Sequence, residues 1–404
     1  MQRSSCLICN SKEIVTIIDL GLHPFADTFI PKERLGEGEM IYPLICDLCK
    51  NCGQIQTKCV TNPKERYVSN DYSYTSSNSE FSRNHWDEFA LELLSKNQVK
   101  EDCFILEIGS NDGYLSEHFV KMGKKVLGVD PSPYMAGLAK KRNVETMTTL
   151  FDKKTSEVIL KNYGKANLII ANNVFNHSDN PLDFAQAVKN VLAPNGIFIF
   201  EQPYWLIGFK EKKFDQIYHE HVSYFTVKSL KNLLEKAGMK IVEVRIVDYH
   251  GGSLRIMAQH IDYTKEESKK VSSMIAEEER IGTFNPTEYY KFIENLNKNK
   301  FLFLEKIYNI KNKGENIIAI GAAAKGNTFL NFYNLNNNII DYVTDTSEHK
   351  KEKFTPGTRI PIRGDEILKK YDDVHALILS WNIADQLKEK LLEINPSIKF
   401  LIPD

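Results

Sequence analysis

An α/β fold with a central doubly wound parallel sheet, a small cysteine-bearing module before it and a second, Rossmann-like sheet domain after it is predicted by three observations. In Phe104–Gly113 an apolar strand ends on Glu107 and passes directly into a glycine-bearing turn of small polar residues. Apolar strands then alternate with helical segments, twice over, which implies parallel sheets covered on both faces. All seven cysteines lie within the first 103 residues.

At 404 residues the chain exceeds one compact core and calls for two or three domains. The formal net charge of -1, with Lys and Glu interspersed, gives no electrostatic footprint for nucleic acid. The N-terminus is polar and no apolar run is long enough to span a bilayer, so no membrane association and a cytoplasmic location are the expectation. Nothing in the sequence sets an oligomeric state, and a monomer is the default.

In chain order, residues 1–70 form the cysteine module. Cys6-Leu-Ile-Cys9 is one CxxC knuckle, and Cys46-Asp-Leu-Cys49-Lys-Asn-Cys52 holds another. In a reducing compartment such crowding points to metal rather than disulfides, and two knuckles supply four thiolates to a tetrahedral zinc. Cys49 with Cys52 is the preferred second pair, because Gly53 completes the knuckle pattern; Cys46 with Cys49 is the alternative. A four-thiolate site is closed, so this zinc is expected to staple a small domain and do no chemistry.

A central domain is expected over 71–262. It opens with a helical stretch from Ser79 to Leu94, followed by Phe104–Glu107 and by strands at Val126–Asp130, Asn167–Ala171 and Ile197–Phe200; a hairpin, Lys240–Val247 with Ser253–Gln259, finishes the sheet. Residues 263–313 are charged, helix-rich and without a strand run, and read as a helical connector. From 314 to 404 a second α/β pattern places strands at Asn316–Ile320, Ile339–Val343, Ala376–Leu379 and Lys399–Ile402, the first running into Gly321-Ala322-Ala323-Ala324-Lys325-Gly326.

The turn after the first central strand is not the GxGxxG of a dinucleotide binder, which needs a second glycine for backbone to approach a pyrophosphate. Its polar wall, Ser110-Asn111-Asp112, suits a nucleoside ligand without phosphates, of which S-adenosylmethionine is the common one. Asp130, ending the next strand, stands where such folds place the carboxylate that takes the ribose hydroxyls.

Groups able to move protons concentrate in Phe214–His221. If that segment is helical, Tyr218 and His221 share a face one turn apart. An imidazole can take a proton near neutral pH, and a phenol can donate to a developing oxyanion. Taken alone, such a cluster is more often a solvated helix face than a site. His177, in Asn172–His177 after a sheet strand, falls at the carboxyl edge where these folds bind ligands, or is an ordinary cap. The loop Asp71–Ser77 carries two tyrosines beside hydroxyls. His250-Gly251-Gly252 admits close backbone approach, and Lys325 at a helix start suits a phosphate.

Taken together and in this order, the cysteine module, EIGSNDG (107–113), ANNVFNH (171–177), FEQPY (200–204), FDQIYHEH (214–221), HGGSLR (250–255), GAAAKGNT (321–328) and TPGTRIPI (355–362) resemble the S-adenosylmethionine-dependent C-methyltransferases of nucleotide-linked 4-keto deoxysugars. The resemblance covers nearly the whole chain. It implies a zinc-bound module, a class I methyltransferase domain and a Rossmann-like C-terminal domain, with the sugar nucleotide between the last two. By the same resemblance His221 removes the proton of carbon 3, while Tyr218 and Tyr74 hydrogen-bond the 4-keto oxygen as it becomes an enolate. Glu220 binds in the same site, His177 lies near the reacting methyl, and no metal enters that step. Cofactor binding falls on Glu107, Gly109, Asn111, Asp112 and Asp130, with Phe151 near the adenine and Asn172 on the same edge. Gln216, His250, Gly251 and Lys325 are the substrate-binding candidates. His219, a departure before Glu220, adds a second imidazole.

Two other readings share parts of this pattern. A sugar O-methyltransferase would use the same cofactor turn and a histidine base without needing a ketone, and a non-catalytic protein would hold a sugar nucleotide without turning it over.

Overall fold

The computed structural model describes residues 2–67, 75–95, 99 and 101–403. An antiparallel meander comes first: β1 (Ile14–His23), β2 (Tyr42–Cys49) and β3 (Ile55–Thr57). The central strands follow, β4 (Phe104–Ile108), β5 (Lys125–Asp130), β6 (Thr146–Thr148), β7 (Ala166–Ile170) and β8 (Leu192–Pro203). After β8 the chain returns to the first module, where β9 (Ser223–Tyr224) pairs with β3 and adds a fourth strand to the meander. The hairpin β10 (Met239–Val247) and β11 (Ser253–His260) then completes the central sheet in the order β10-β11-β8-β7-β4-β5-β6. Strands β4 to β8 run parallel, and β11 enters antiparallel between β8 and β10.

Both faces of β4 are buried along its whole length, as expected of the middle strand of a parallel sheet. Helix Glu80–Ser95 covers one face with Trp86, Phe89, Ala90 and Leu93, a spacing that makes a single apolar stripe. Its bounds differ by one residue from those read in the sequence.

The C-terminal sheet is parallel throughout, with β12 (Asn316–Ile320), β13 (Tyr342–Thr344), β14 (Ile362–Arg363), β15 (Val374–Ile378) and β16 (Ile398–Leu401) in the order β14-β13-β12-β15-β16. The strand expected at Ile339–Val343 starts only at Tyr342, because the Ile339 and Ile340 amides donate to the Asn336 carbonyl and close a turn. The short strands β6 and β14 lie at sheet edges and carry little apolar pattern for a sequence reading to detect.

The parts share cores. Cys6, Ile8, Cys49 and Cys52 pack in one cluster with Val227, Leu230 and the apolar lining of the central sheet. Ile17, Leu20 and Leu44 of the meander pack with Phe292, Leu296, Phe329 and Leu330 in another. In the stretch read as a connector, helices Lys269–Ile281 and Pro286–Asn312 are docked rather than loose. Glu278, fully buried, accepts the Val227 and Lys228 amides at 2.6 and 3.1 Å and the Tyr204 hydroxyl at 2.8 Å, so it caps helix Val227–Lys236 from outside. No helix among the described residues is long and apolar enough to cross a membrane.

Candidate active site

The carboxyl ends of β4, β5 and β7 open into a cleft of about 300 Å³, at the point where strand order reverses on either side of β4. Gly109, Asn111, Asp130, Phe151, Asn172 and His177 line it. Gly109 has φ +69°, and a Cβ there would stand 2.8 Å from Val174, so the turn needs glycine on both counts. Asp130 takes the Asn111 amide at 3.0 Å on one oxygen and the Ser132 amide at 2.9 Å on the other, and burial pushes its carboxyl up to about 6. Glu107 and Asp112 do not line the cleft. Glu107 is buried behind the turn and accepts the Ser116 hydroxyl, and burial raises it to about 8. Asp112 accepts the Ser76 and Ser77 hydroxyls, which ties the end of the Asp71–Ser77 loop to the turn. Tyr74 lies outside the described residues.

Segment 214–221 is a succession of turns and not a helix. The turns nevertheless bring the Tyr218 hydroxyl to 2.6 Å from His221 Nε2. At the other ring nitrogen, Nδ1 is 2.9 Å from the Gln216 carbonyl, which can only accept. Nδ1 therefore carries the hydrogen, and Nε2 keeps its lone pair and accepts from Tyr218. Burial lowers the His221 pKa to about 3, so the imidazole is neutral at physiological pH and its Nε2 carries no proton. His177 stands with its ring centroid 5.0 Å from that of His221, which joins the dyad to the cleft. Two backbone bonds fix this pairing: the Val222 amide donates to the Asn176 carbonyl at 2.9 Å, and the Thr57 amide of β3 donates to the Val222 carbonyl at 2.9 Å.

His219 and Glu220 face the first module. His219 lies 3.3 Å from the Pro43 carbonyl with its ring beside Phe25 and Tyr42, and burial lowers it to about 4. Glu220 accepts the Asp27 amide at 3.3 Å, and burial with the nearby Asp27 charge raises its carboxyl to about 7. An unfolded chain titrates glutamate near ~4.3. Between these values the native state binds more protons, so the contribution of Glu220 to stability is full below the unfolded value and lost as pH rises through 7. Glu220→Gln is expected to melt progressively above wild type as pH goes from 5 to 8, by at most on the order of 3 kcal/mol at the upper end. A constant gap in thermal melts across that range would show that the carboxyl does not titrate there.

The substrate-binding candidates meet around Trp381, which the sequence analysis did not single out. Gln216 Nε2 donates to the His250 carbonyl at 3.0 Å, and a Cβ on Gly251 would stand 2.4 Å from the Trp381 ring. Lys325 Nζ lies 4.8 Å from that ring centroid and donates to Asn382 at 2.5 Å. Trp381 Nε1 donates to Asp215 at 2.6 Å. Burial brings Lys325 down to about 8 despite Asp215, and burial also drives His250 well below the ordinary histidine range. Trp381 follows β15, so the same rule that marked His177, a residue just past a strand's carboxyl end, would have found it.

The C-terminal sheet repeats the bonding of the cofactor turn. Asp345, after β13, accepts the Ala322 amide at 2.9 Å and the Ser347 amide at 2.8 Å, as Asp130 accepts those of Asn111 and Ser132. Lys350, 8% exposed, donates to the Ala322 carbonyl at 2.7 Å with Asp345 at 3.7 Å.

At the N-terminus the sulfurs of Cys6, Cys9, Cys49 and Cys52 lie within 4.8 Å of one another, Cys6 to Cys52 at 3.4 Å and Cys9 to Cys49 at 3.6 Å. Four thiolates about 2.3 Å from a tetrahedral zinc stand about 3.8 Å apart, so the set fits a structural zinc ion. The Ile8 amide points at Cys6 Sγ and the Gly53 amide at the Cys49 carbonyl, as in a closed knuckle. Cys46 is buried in β2 and stands outside the set.

Three protein families match the chain in succession: a zinc binding domain over residues 6–67, a methyltransferase domain over 80–244 and a C-methyltransferase C-terminal domain over 248–403. The C-methyltransferase NovU of Streptomyces niveus is 29% identical over 399 residues, covering 98% of this chain and 94% of that protein. A ubiquinone biosynthesis O-methyltransferase of Colwellia psychrerythraea is 25% identical over 161 residues, 37% of this chain and 65% of its own. Among solved structures, an S-adenosylmethionine-dependent methyltransferase of Clostridium acetobutylicum aligns with 46% of this chain and 93% of its own at 16% identity and a TM-score of 0.36.

Proposed function

We propose that this chain, which belongs to the S-adenosylmethionine-dependent C-methyltransferases, methylates carbon 3 of a nucleotide-linked 4-keto-6-deoxysugar with His221 as the base. The observation that carries the reading is the Tyr218–His221 dyad set beside His177 at the edge of the cofactor cleft. Bound in that cleft, S-adenosylmethionine supplies an electrophilic methyl and leaves as the thioether.

This chain's own residues then prepare the acceptor. A ketone at carbon 4 acidifies the proton on carbon 3. His221 Nε2 takes that proton, and the electron pair of the broken bond passes to the ketone oxygen as an enolate. Tyr218 turns its O–H from the imidazole to that oxygen, which frees the Nε2 lone pair and stabilises the new charge in one movement. Carbon 3 of the enolate makes the new carbon–carbon bond to the methyl. The imidazolium, disfavoured by the same burial that lowers its pKa, then gives its proton to solvent. Lys325, Gln216 and the His250-Gly251 turn, gathered around Trp381, would hold the nucleotide part of the substrate.

The test is incubation with a panel of nucleotide 4-keto-6-deoxysugars and S-adenosylmethionine, read by mass spectrometry and by NMR of any product gaining one methyl. A methyl on carbon 3, with solvent deuterium entering that carbon when only S-adenosylhomocysteine is present, is the expected result. A methyl on oxygen would remove the enolate from the mechanism.

A further inference from the structure

We propose that the indole N–H of Trp86 binds the carboxylate of the cofactor's methionine end, an inference that rests on the S-adenosylmethionine reading of the cleft. The order of strands lays out the cleft from one end to the other. Phe151 follows β6, Asp130 ends β5, Gly109 and Asn111 follow β4, and Asn172 follows β7. An adenosyl group with its ribose on Asp130 and its base toward Phe151 must send its methionine tail along the sheet edge, past Gly109, toward Asn172. Trp86, from helix Glu80–Ser95, is on the cleft wall as well.

Trp86 is 4% exposed, and its Nε1 is a buried donor with no acceptor among the described residues. An indole N–H has no second role, so a buried one without an acceptor is a standing cost that a ligand can remove. Contacts with His85 at 4.7 Å and Tyr249 at 5.0 Å between ring centroids hold the indole in place. Asn172 offers a second donor. Its Oδ1 is fixed by the Glu201 amide at 2.9 Å, which leaves Nδ2 buried and without an acceptor among the described residues. No lysine or arginine is among the described residues lining the cleft, so a carboxylate there has to be met by neutral donors. A bond from such a donor to an ionised oxygen is charge-assisted and among the stronger ones.

The test uses the whole protein and two ligands that differ in the methionine end alone, S-adenosylhomocysteine and 5′-methylthioadenosine. In calorimetric titrations Trp86→Phe, which keeps an aromatic ring, is expected to weaken S-adenosylhomocysteine by roughly 10- to 100-fold and to leave methylthioadenosine within twofold. In 15N-labelled wild type, the indole resonance absent from the variant is expected to move downfield with S-adenosylhomocysteine and to stay in place with methylthioadenosine. Equal weakening of both ligands, or of neither, together with an unmoved indole, overturns the proposal. If wild type binds neither ligand, the cofactor reading itself falls and takes the proposal with it.

Discussion

His221→Ala is expected to abolish solvent exchange at carbon 3 and methyl transfer together, with kcat down by roughly 10²- to 10⁴-fold. The coupling of the two losses is the informative part, since a residue that merely shaped the acceptor pocket would slow transfer while leaving exchange in the trapped substrate. S-adenosylhomocysteine affinity should remain within a few-fold, because the dyad borders the cleft without lining it. Tyr218→Phe, which keeps the ring and loses the donor, should slow both steps less severely and so separate proton abstraction from enolate stabilisation. His219 cannot replace the missing base: its ring is packed against Phe25 and Tyr42 with Nε2 beside the Pro43 carbonyl. Exchange that persists at the wild-type rate in His221→Ala would assign the base elsewhere.

Removing zinc is expected to cost nearly as much activity, at least 100-fold, although the metal site is closed and takes no part in the chemistry. Structural zinc of this kind contributes about 10–16 kcal/mol to the folding of its module. The second knuckle leads directly into β3, which pairs Ile55 with Tyr224 and Gln56 with Ser223. The Thr57 amide holds the Val222 carbonyl, and the Val222 amide holds the loop that carries His177. Without the knuckle both histidines lose the backbone that sets their spacing. Hydrogen exchange read by mass spectrometry should show lost protection at Val222 and Tyr224 in the chelated protein, with the β4–β5 peptides unchanged. Full protection there after complete zinc loss would show that the dyad stands without the module.

The elements that could be read in the sequence were those written in local pattern. The buried run of β4, the turn at Gly109, Asp130 at the end of β5 and the cysteine knuckles each combine a spacing with a chemical need, and the structure assembles them as that spacing implies. What stayed hidden is long-range. Nothing near Ser223 announces a strand of two residues whose partner lies more than 160 positions earlier. The helix considered for Tyr218 and His221 is replaced by turns, because the segment must reach the first module on one side and the Trp381 loop on the other. Glu278 falls in a stretch legible only as charged and helix-rich, and only tertiary packing shows it capping another helix from within the core. Trp86 was not marked by any sequence pattern, and only the packed structure shows its indole nitrogen buried with no acceptor among the described residues.

The two Rossmann-like crevices of this chain share one bonding plan, and the ammonium of Lys350 occupies the second. The consequence is one of stoichiometry. A cation delivered by the chain itself already donates to the Ala322 carbonyl and stands 3.7 Å from the Asp345 carboxylate that a ribose would have to claim, so adenosyl ligands are expected to saturate the protein at a single equivalent in a calorimetric titration.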